Sequence, residues 1–107
     1  MNAPGRIIGL VNQFTDSAAT VDASELRQMT HAMLIGVPPM DPLDRFGDEA
    51  TFYLPHSGIT VQYTTARINT SGHDWGTPQI TVAPTPAQII SGTDPVLAEA
   101  LSYARPG

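Results

Sequence analysis

Serine, histidine and aspartate gather in two short stretches of this sequence. His56-Ser57-Gly58 is followed by Ser71-Gly72-His73-Asp74-Trp75-Gly76. A serine, a base and an acid are the parts of an acyl-transfer site, in which the acid orients the base and the base takes the serine proton. The arrangement argues against that chemistry. His73 and Asp74 are adjacent, so in an extended chain their side chains point apart, whereas a triad draws acid and base from separate elements. Ser57 lies between two strand-like stretches and lacks the strand–turn–helix setting of a nucleophile elbow. Residues 69–77 read instead as a hairpin loop. Asp74 would cap its turn, and Trp75 would either fold back over a sheet or serve as a contact residue. A small hydrolase or isomerase using His73 and Asp74 is the enzymatic alternative.

Metal and cofactor chemistry finds no better footing. His31, His56 and His73 fall in three different elements and follow neither an HxH nor an HExxH spacing. Asp41, Asp44, Asp48 and Glu49 cluster, but a calcium loop needs oxygen ligands at alternating positions around a glycine bend, and Pro42 stiffens the wrong place. The glycines are scattered singly and form no phosphate cradle. The expectation is therefore no catalytic residue, no cofactor and no metal.

Composition narrows the partners. The chain has 107 residues, the size of one domain. Its charged fraction of 14% is well below the usual quarter or so, and its formal charge is −5. All five basic residues are arginines, placed singly at Arg6, Arg27, Arg45, Arg67 and Arg105. No basic patch exists to neutralise a run of phosphates or to hold an anionic bilayer, which argues against nucleic acid and membrane as partners. There is no cysteine, so disulfides and thiolate metal sites are excluded. The apolar run Ile7–Val11 is too short for a signal-peptide core, and no stretch approaches the ~20 apolar residues of a membrane span. A soluble, cytoplasmic protein is expected. Ten prolines with so little charge fit a protein that lives docked on a partner, and fit a small β-rich fold nearly as well.

The elements that must position these residues follow from periodicity. Residues 1–21 read as an N-terminal arm with a short strand over Ile7–Val11, and residues 22–107 as a single small domain. A helix is expected over 23–35, with Asp22 and Glu25 as a capping box and Leu26, Met29, Met33 and Leu34 on one face. Gly36 and Pro38-Pro39 would stop it. Residues 37–50 read as a proline-rich arm. Met40, Leu43 and Phe46 are spaced along it, either as anchors for a partner or folded back onto their own core. From residue 51 the period becomes two, giving strands at 51–54, 59–68 and 78–83, with a last edge at 88–90. Ile59, Val61 and Tyr63 would share one face. Asp94-Pro95 starts a second helix reaching residue 104. The expected fold is α+β: a small antiparallel sheet over 51–90 with two flanking helices and extended N-terminal and Pro-rich arms.

One segment carries a resemblance. ATFYLPHSGITVQY, residues 50–63, resembles the strand–turn–strand segment of the small head-decoration proteins of tailed bacteriophages. In those a Thr-Phe-Tyr strand is followed closely by Ser-Gly and a threonine-rich strand. The segment is about a seventh of the chain. The early helix and the two-proline arm after it depart from the family's pattern. The resemblance implies a virion protein seated on the capsid lattice, as a trimer, whose arms add strand edges or apolar anchors to the shell. The expected function is thus non-enzymatic assembly. Met40, Leu43, Phe46 and Trp75 would be buried against neighbouring protein subunits, copies of itself or a shell protein, in a homo-oligomer. Other head–tail or tail structural roles, and a protein- or peptide-binding module, are the alternatives.

Overall fold

The computed structural model describes residues 5–40, 45–68 and 76–105. In chain order the elements are β1 (Ile8–Val11), α1 (Ala18–Thr30), β2 (Met33–Gly36), β3 (Arg45–Tyr53), β4 (Thr60–Ile68), β5 (Ile80–Thr81), α2 (Pro86–Ser91) and α3 (Pro95–Ala104). The fold is α+β. It divides into two compact units, one formed by the chain up to residue 42 together with the chain from 74 onward, the other by residues 43–73.

The first unit is built on a parallel sheet in the order β1-β2-β5. Parallel neighbours need a crossover, and α1 supplies the one between β1 and β2. The central strand is Met33-Leu34-Ile35-Gly36, without a polar side chain. Leu34 and Ile35 point to opposite faces, and both are 0% exposed. Burial on both faces is what parallel strands require, and α1 and α3 both pack on β1 and β2. Gly36 makes the close approach of β1 and β2 possible. Its φ is +138°, and a Cβ there would lie 1.8 Å from the Val11 carbonyl oxygen.

β5 is only two residues long, but a side chain lengthens its ladder. Gln79 N–H donates to the Leu34 carbonyl at 3.0 Å. Its amide oxygen accepts the Leu34 N–H at 2.8 Å, and its amide nitrogen donates to the Ala32 carbonyl at 3.4 Å. The side chain acts as a further length of backbone beside the buried strand.

Several expectations are corrected here. The helix runs over Ala18–Thr30, not 23–35, and Met33 and Leu34 belong to β2. His31 stops it in the left-handed region at φ 56°, with its N–H on the Arg27 carbonyl at 3.0 Å. Thr20, Ala23, Ser24 and Arg27, at i, i+3, i+4 and i+7, face inward, and Leu26 does so as expected, its Cδ2 3.4 Å from where a Gly9 Cβ would lie, whereas Met29 is exposed. Small side chains let the helix lie close on the sheet. The N-terminal segment is no arm over its described part: Ile8–Val11 pairs with β2, and α1 begins inside 1–21. Residues 78–83 give only β5, paired in parallel with β2 rather than in an antiparallel sheet. Residues 88–90, expected as an edge strand, lie in α2, which Thr85 and Gln88 open with a capping box and Pro86 at the first turn. α3 starts where expected, with the Asp94 carboxylate accepting the Leu97 N–H at 2.9 Å.

The second unit is the antiparallel hairpin β3–β4, and its alternation was legible. Phe52 lies opposite Val61 and Ala50 opposite Tyr63, so Ala50, Phe52, Val61 and Tyr63 share a face. The Phe52 and Tyr63 rings meet edge-on at 6.0 Å. Glu49, Thr51, Tyr53, Thr60, Gln62 and Thr64 occupy the other face. The strand enters the expected Pro-rich arm, since β3 starts at Arg45.

Two substitutions test this frame by denaturant unfolding. Gln79→Ala leaves the buried Leu34 N–H without a partner and is expected to cost about 1–3 kcal/mol. Gly36→Ala sets a methyl into the Val11 carbonyl and is expected to cost about 3 kcal/mol or more, or to prevent folding.

Candidate functional site

The carboxyl ends of β1, β2 and β5 open into one cleft of about 660 Å³, where open parallel sheets ordinarily receive ligands. Leu10, Val37, Val82, Ile89 and Val96 make its walls apolar, and Asn12 and Asp94 contribute polar atoms. The loop from β1 to α1 forms one side. It is a tight turn: the Asn12 side-chain oxygen accepts the Phe14 N–H at 2.9 Å, and the Thr15 hydroxyl accepts the Asn12 N–H at 3.0 Å. This turn projects Phe14, which is 77% exposed. Phe14 and Gln13 also border a second, shallower cleft of about 450 Å³ with Thr15, Asp16 and Met40.

The loop ends at Ser17, whose backbone is strained. Its φ is 57° and ψ −124°, outside the regions that a residue with a Cβ adopts freely. Such conformations cost about 1–3 kcal/mol and cluster at functional sites. Ser17 is exposed and stands immediately before the first turn of α1, and its side chain does not cap that helix. The Asp16 and Ser17 carbonyls instead accept the Ala19 and Thr20 N–H groups at 3.1 and 3.2 Å. Ser17 shares a strained backbone and a place just before a helix with the serine of a nucleophile elbow, although residues 12–16 separate it from β1, and the helix N-terminus beside it favours negative charge.

The bases available to Ser17 are few. The chain has no lysine. His31 caps the opposite end of the 13-residue α1, a distance of about 20 Å along the axis. His56 sits exposed in the β3–β4 turn. His73 and Asp74, the enzymatic alternative read from the sequence, lie outside the described residues.

Of the expected interface residues, Met40 belongs to the first unit and is 78% exposed, and Phe46 belongs to β3 and is 64% exposed. Leu43 and Trp75 lie outside the described residues, as do Asp41 and Asp44. Ser57 is a turn residue whose hydroxyl accepts the Ile59 N–H at 3.4 Å. Among the described residues no three His, Asp or Glu side chains gather to hold a metal ion, and no helix is long and apolar enough to cross a membrane. Ser17 escaped the sequence reading, which placed it within the N-terminal arm of residues 1–21. The available signal was a polar turn set between the apolar Ile7–Val11 strand and a helix. No protein-family model and no curated protein matches the sequence.

Paired variants separate the backbone strain at Ser17 from its hydroxyl. Ser17→Ala and Ser17→Gly both remove the hydroxyl, but only glycine adopts this φ and ψ freely. Ser17→Gly is expected to be the more stable of the two by about 1–3 kcal/mol in denaturant unfolding.

Proposed function

We propose that this chain is an assembly protein whose apolar surfaces are completed by other polypeptide. One observation carries the reading. Among the described residues five apolar side chains are buried (Val11, Ala32, Leu34, Ile35 and Ala100), while fifteen large ones are more than a third exposed. The exposed set is not scattered. Six of them, Phe46, Phe52, Tyr53, Leu54, Ile59 and Tyr63, belong to the hairpin unit, Phe52 and Tyr63 on one face of it, and a two-stranded hairpin needs its apolar face covered to be stable. Met40 beside the Phe14 clefts and Ile89 and Ile90 on α2 extend the apolar exposure in the first unit. Side chains of this size contribute about 1.5–3 kcal/mol each when fully buried. The narrower form of the reading, a virion component that decorates a capsid, rests on the resemblance of residues 50–63, the segment that includes the hairpin turn.

The isolated protein is expected either to associate in sedimentation velocity over a wide concentration range or to bind a dye specific for exposed apolar surface. The double variant Met40→Ser with Phe46→Ser should keep the circular dichroism spectrum and lose much of the signal. A monomer that binds no dye would refute the reading.

Ser17 favours a second reading, acyl transfer by a serine nucleophile. The hydroxyl oxygen would attack the acyl carbon as its proton passes to a base; the tetrahedral adduct would then expel the leaving group, which takes up that proton, and leave the acyl-enzyme. A fluorophosphonate probe is the test. Labelling located at Ser17 by mass spectrometry, and abolished in Ser17→Ala, would support it; an unlabelled wild-type protein would rule it out in favour of assembly alone.

A further inference from the structure

β1 is an outer strand of the parallel sheet, and alternate residues of its backbone lack partners. The Ile7 carbonyl accepts the Met33 N–H at 3.1 Å and the Val11 carbonyl accepts the Val37 N–H at 3.2 Å. Residues 7, 9 and 11 therefore turn their backbone groups toward β2. Ile8 and Leu10 turn theirs away, where they meet no partner among the described residues. Natural sheets protect such edges with charge, proline, bulges or very short strands. The other outer strand, β5, is two residues long and lies between Pro78 and Pro84. β1 has none of these devices: Ile8-Gly9-Leu10-Val11 carries no charge and no proline, and it keeps an unbroken register with β2.

We propose that the β1 edge is the interface with a second copy of this chain, the two β1 strands pairing antiparallel about a twofold axis at Gly9. The proposal rests on the assembly reading and names its partner. The strand is self-complementary in this register. Ile8 stands opposite Leu10 of the second copy, and Leu10 opposite its Ile8. Each such pair exchanges two N–H···O bonds, so every outward group of Ile8 and Leu10 in both copies is satisfied. Gly9 then faces Gly9 of the second copy at a site without hydrogen bonds, where α-carbons come within about 4.5 Å. Packing within the chain already requires glycine there, since a Cβ would lie 2.7 Å from Leu34 Cδ2, and the crossing is left unobstructed. The join makes one continuous six-stranded sheet from the two three-stranded ones. It also places Ile7 and Leu10, 47% and 46% exposed, beside the new seam. The net charge of −5 does not oppose contact there, because the strand itself is uncharged. The nearest charge, Arg6, donates to the Tyr103 carbonyl at 2.8 Å and lies over the Tyr103 ring.

The absence of native cysteine gives a clean test. Opposed residues in hydrogen-bonded pairs have α-carbons about 5.5 Å apart, within disulfide range. Ile8→Cys and Leu10→Cys proteins, each verified as folded by circular dichroism, are oxidised alone and as an equimolar mixture. The mixture is expected to yield the disulfide-linked mixed dimer, while each variant alone yields little. Cross-linking of the mixture no greater than that of the single variants would overturn the proposal. If the wild-type protein still associates in sedimentation, that result refutes only the β1 pairing and leaves the assembly reading standing. A wild-type protein that neither associates nor binds dye refutes both.

Discussion

The whole first unit depends on how closely β1 and β2 approach. The point a Gly36 Cβ would occupy lies 1.8 Å from the Val11 carbonyl oxygen, so the contact is backbone on backbone and admits glycine alone. This approach seats β2 between its neighbours, and β2 is the one described strand whose successive side chains, Leu34 and Ile35, are both fully buried. α1 and α3 pack on β1 and β2. On the far side of β2 the short β5 could not pair the whole strand, and the Gln79 amide takes over where its backbone stops. A buried N–H without a partner costs more than an ordinary hydrogen bond contributes, so Gln79 matters through what its loss would leave behind.

Tight packing at β2 contrasts with the surfaces around it. A parallel sheet is ordinarily covered on both faces and continued or shielded at its edges. Here that condition is met at the centre and fades outward: Leu10 on β1 and Leu97 and Leu101 on α3 are substantially exposed. The hairpin unit has the same character, with one apolar face and one threonine-rich face. Its sequence specifies which side is to be covered while supplying no further strand or helix of its own between residues 45 and 68 to cover it.

What could be read from the sequence was the local chemistry. Asp94-Pro95 names a helix start whatever surrounds it, and the alternation of Ile59, Val61 and Tyr63 names a half-buried strand. The boundary between α1 and β2 was not legible because Met33 and Leu34 continue the helical spacing of Leu26 and Met29. Only tertiary burial makes them a strand, and only His31 in the left-handed region marks the stop. The inward face of α1 hid for a related reason: its letters, Thr20, Ser24 and Arg27, are polar, yet Thr20 is 1% exposed with its hydroxyl on the Thr15 carbonyl. α2 was missed although Thr85-Pro86-Ala87-Gln88 is a capping signature, because Ile89-Ile90 read as an edge strand. Of the candidate site, Met40 and Phe46 stood out as spaced apolar residues, but whether they were exposed or folded onto their own core was open until the structure showed them exposed. Ser17 was not, since a positive φ at a serine leaves no trace in composition or period.

The strain at Ser17 and the uncovered apolar surface bear on each other. Domains of this size are stable by roughly 5–15 kcal/mol, and a conformation costing about 1–3 kcal/mol takes a sizeable part of that. Surrounding structure must over-determine such a backbone for it to persist. The restraints near Ser17 include the Asn12 turn on one side and the first turn of α1 on the other, in a unit with few buried apolar side chains among the described residues. Covering β1 would stiffen the strand from which that loop departs, and covering the clefts beside Phe14 would fix the loop itself. Association would then hold the strained serine more firmly than the isolated chain does.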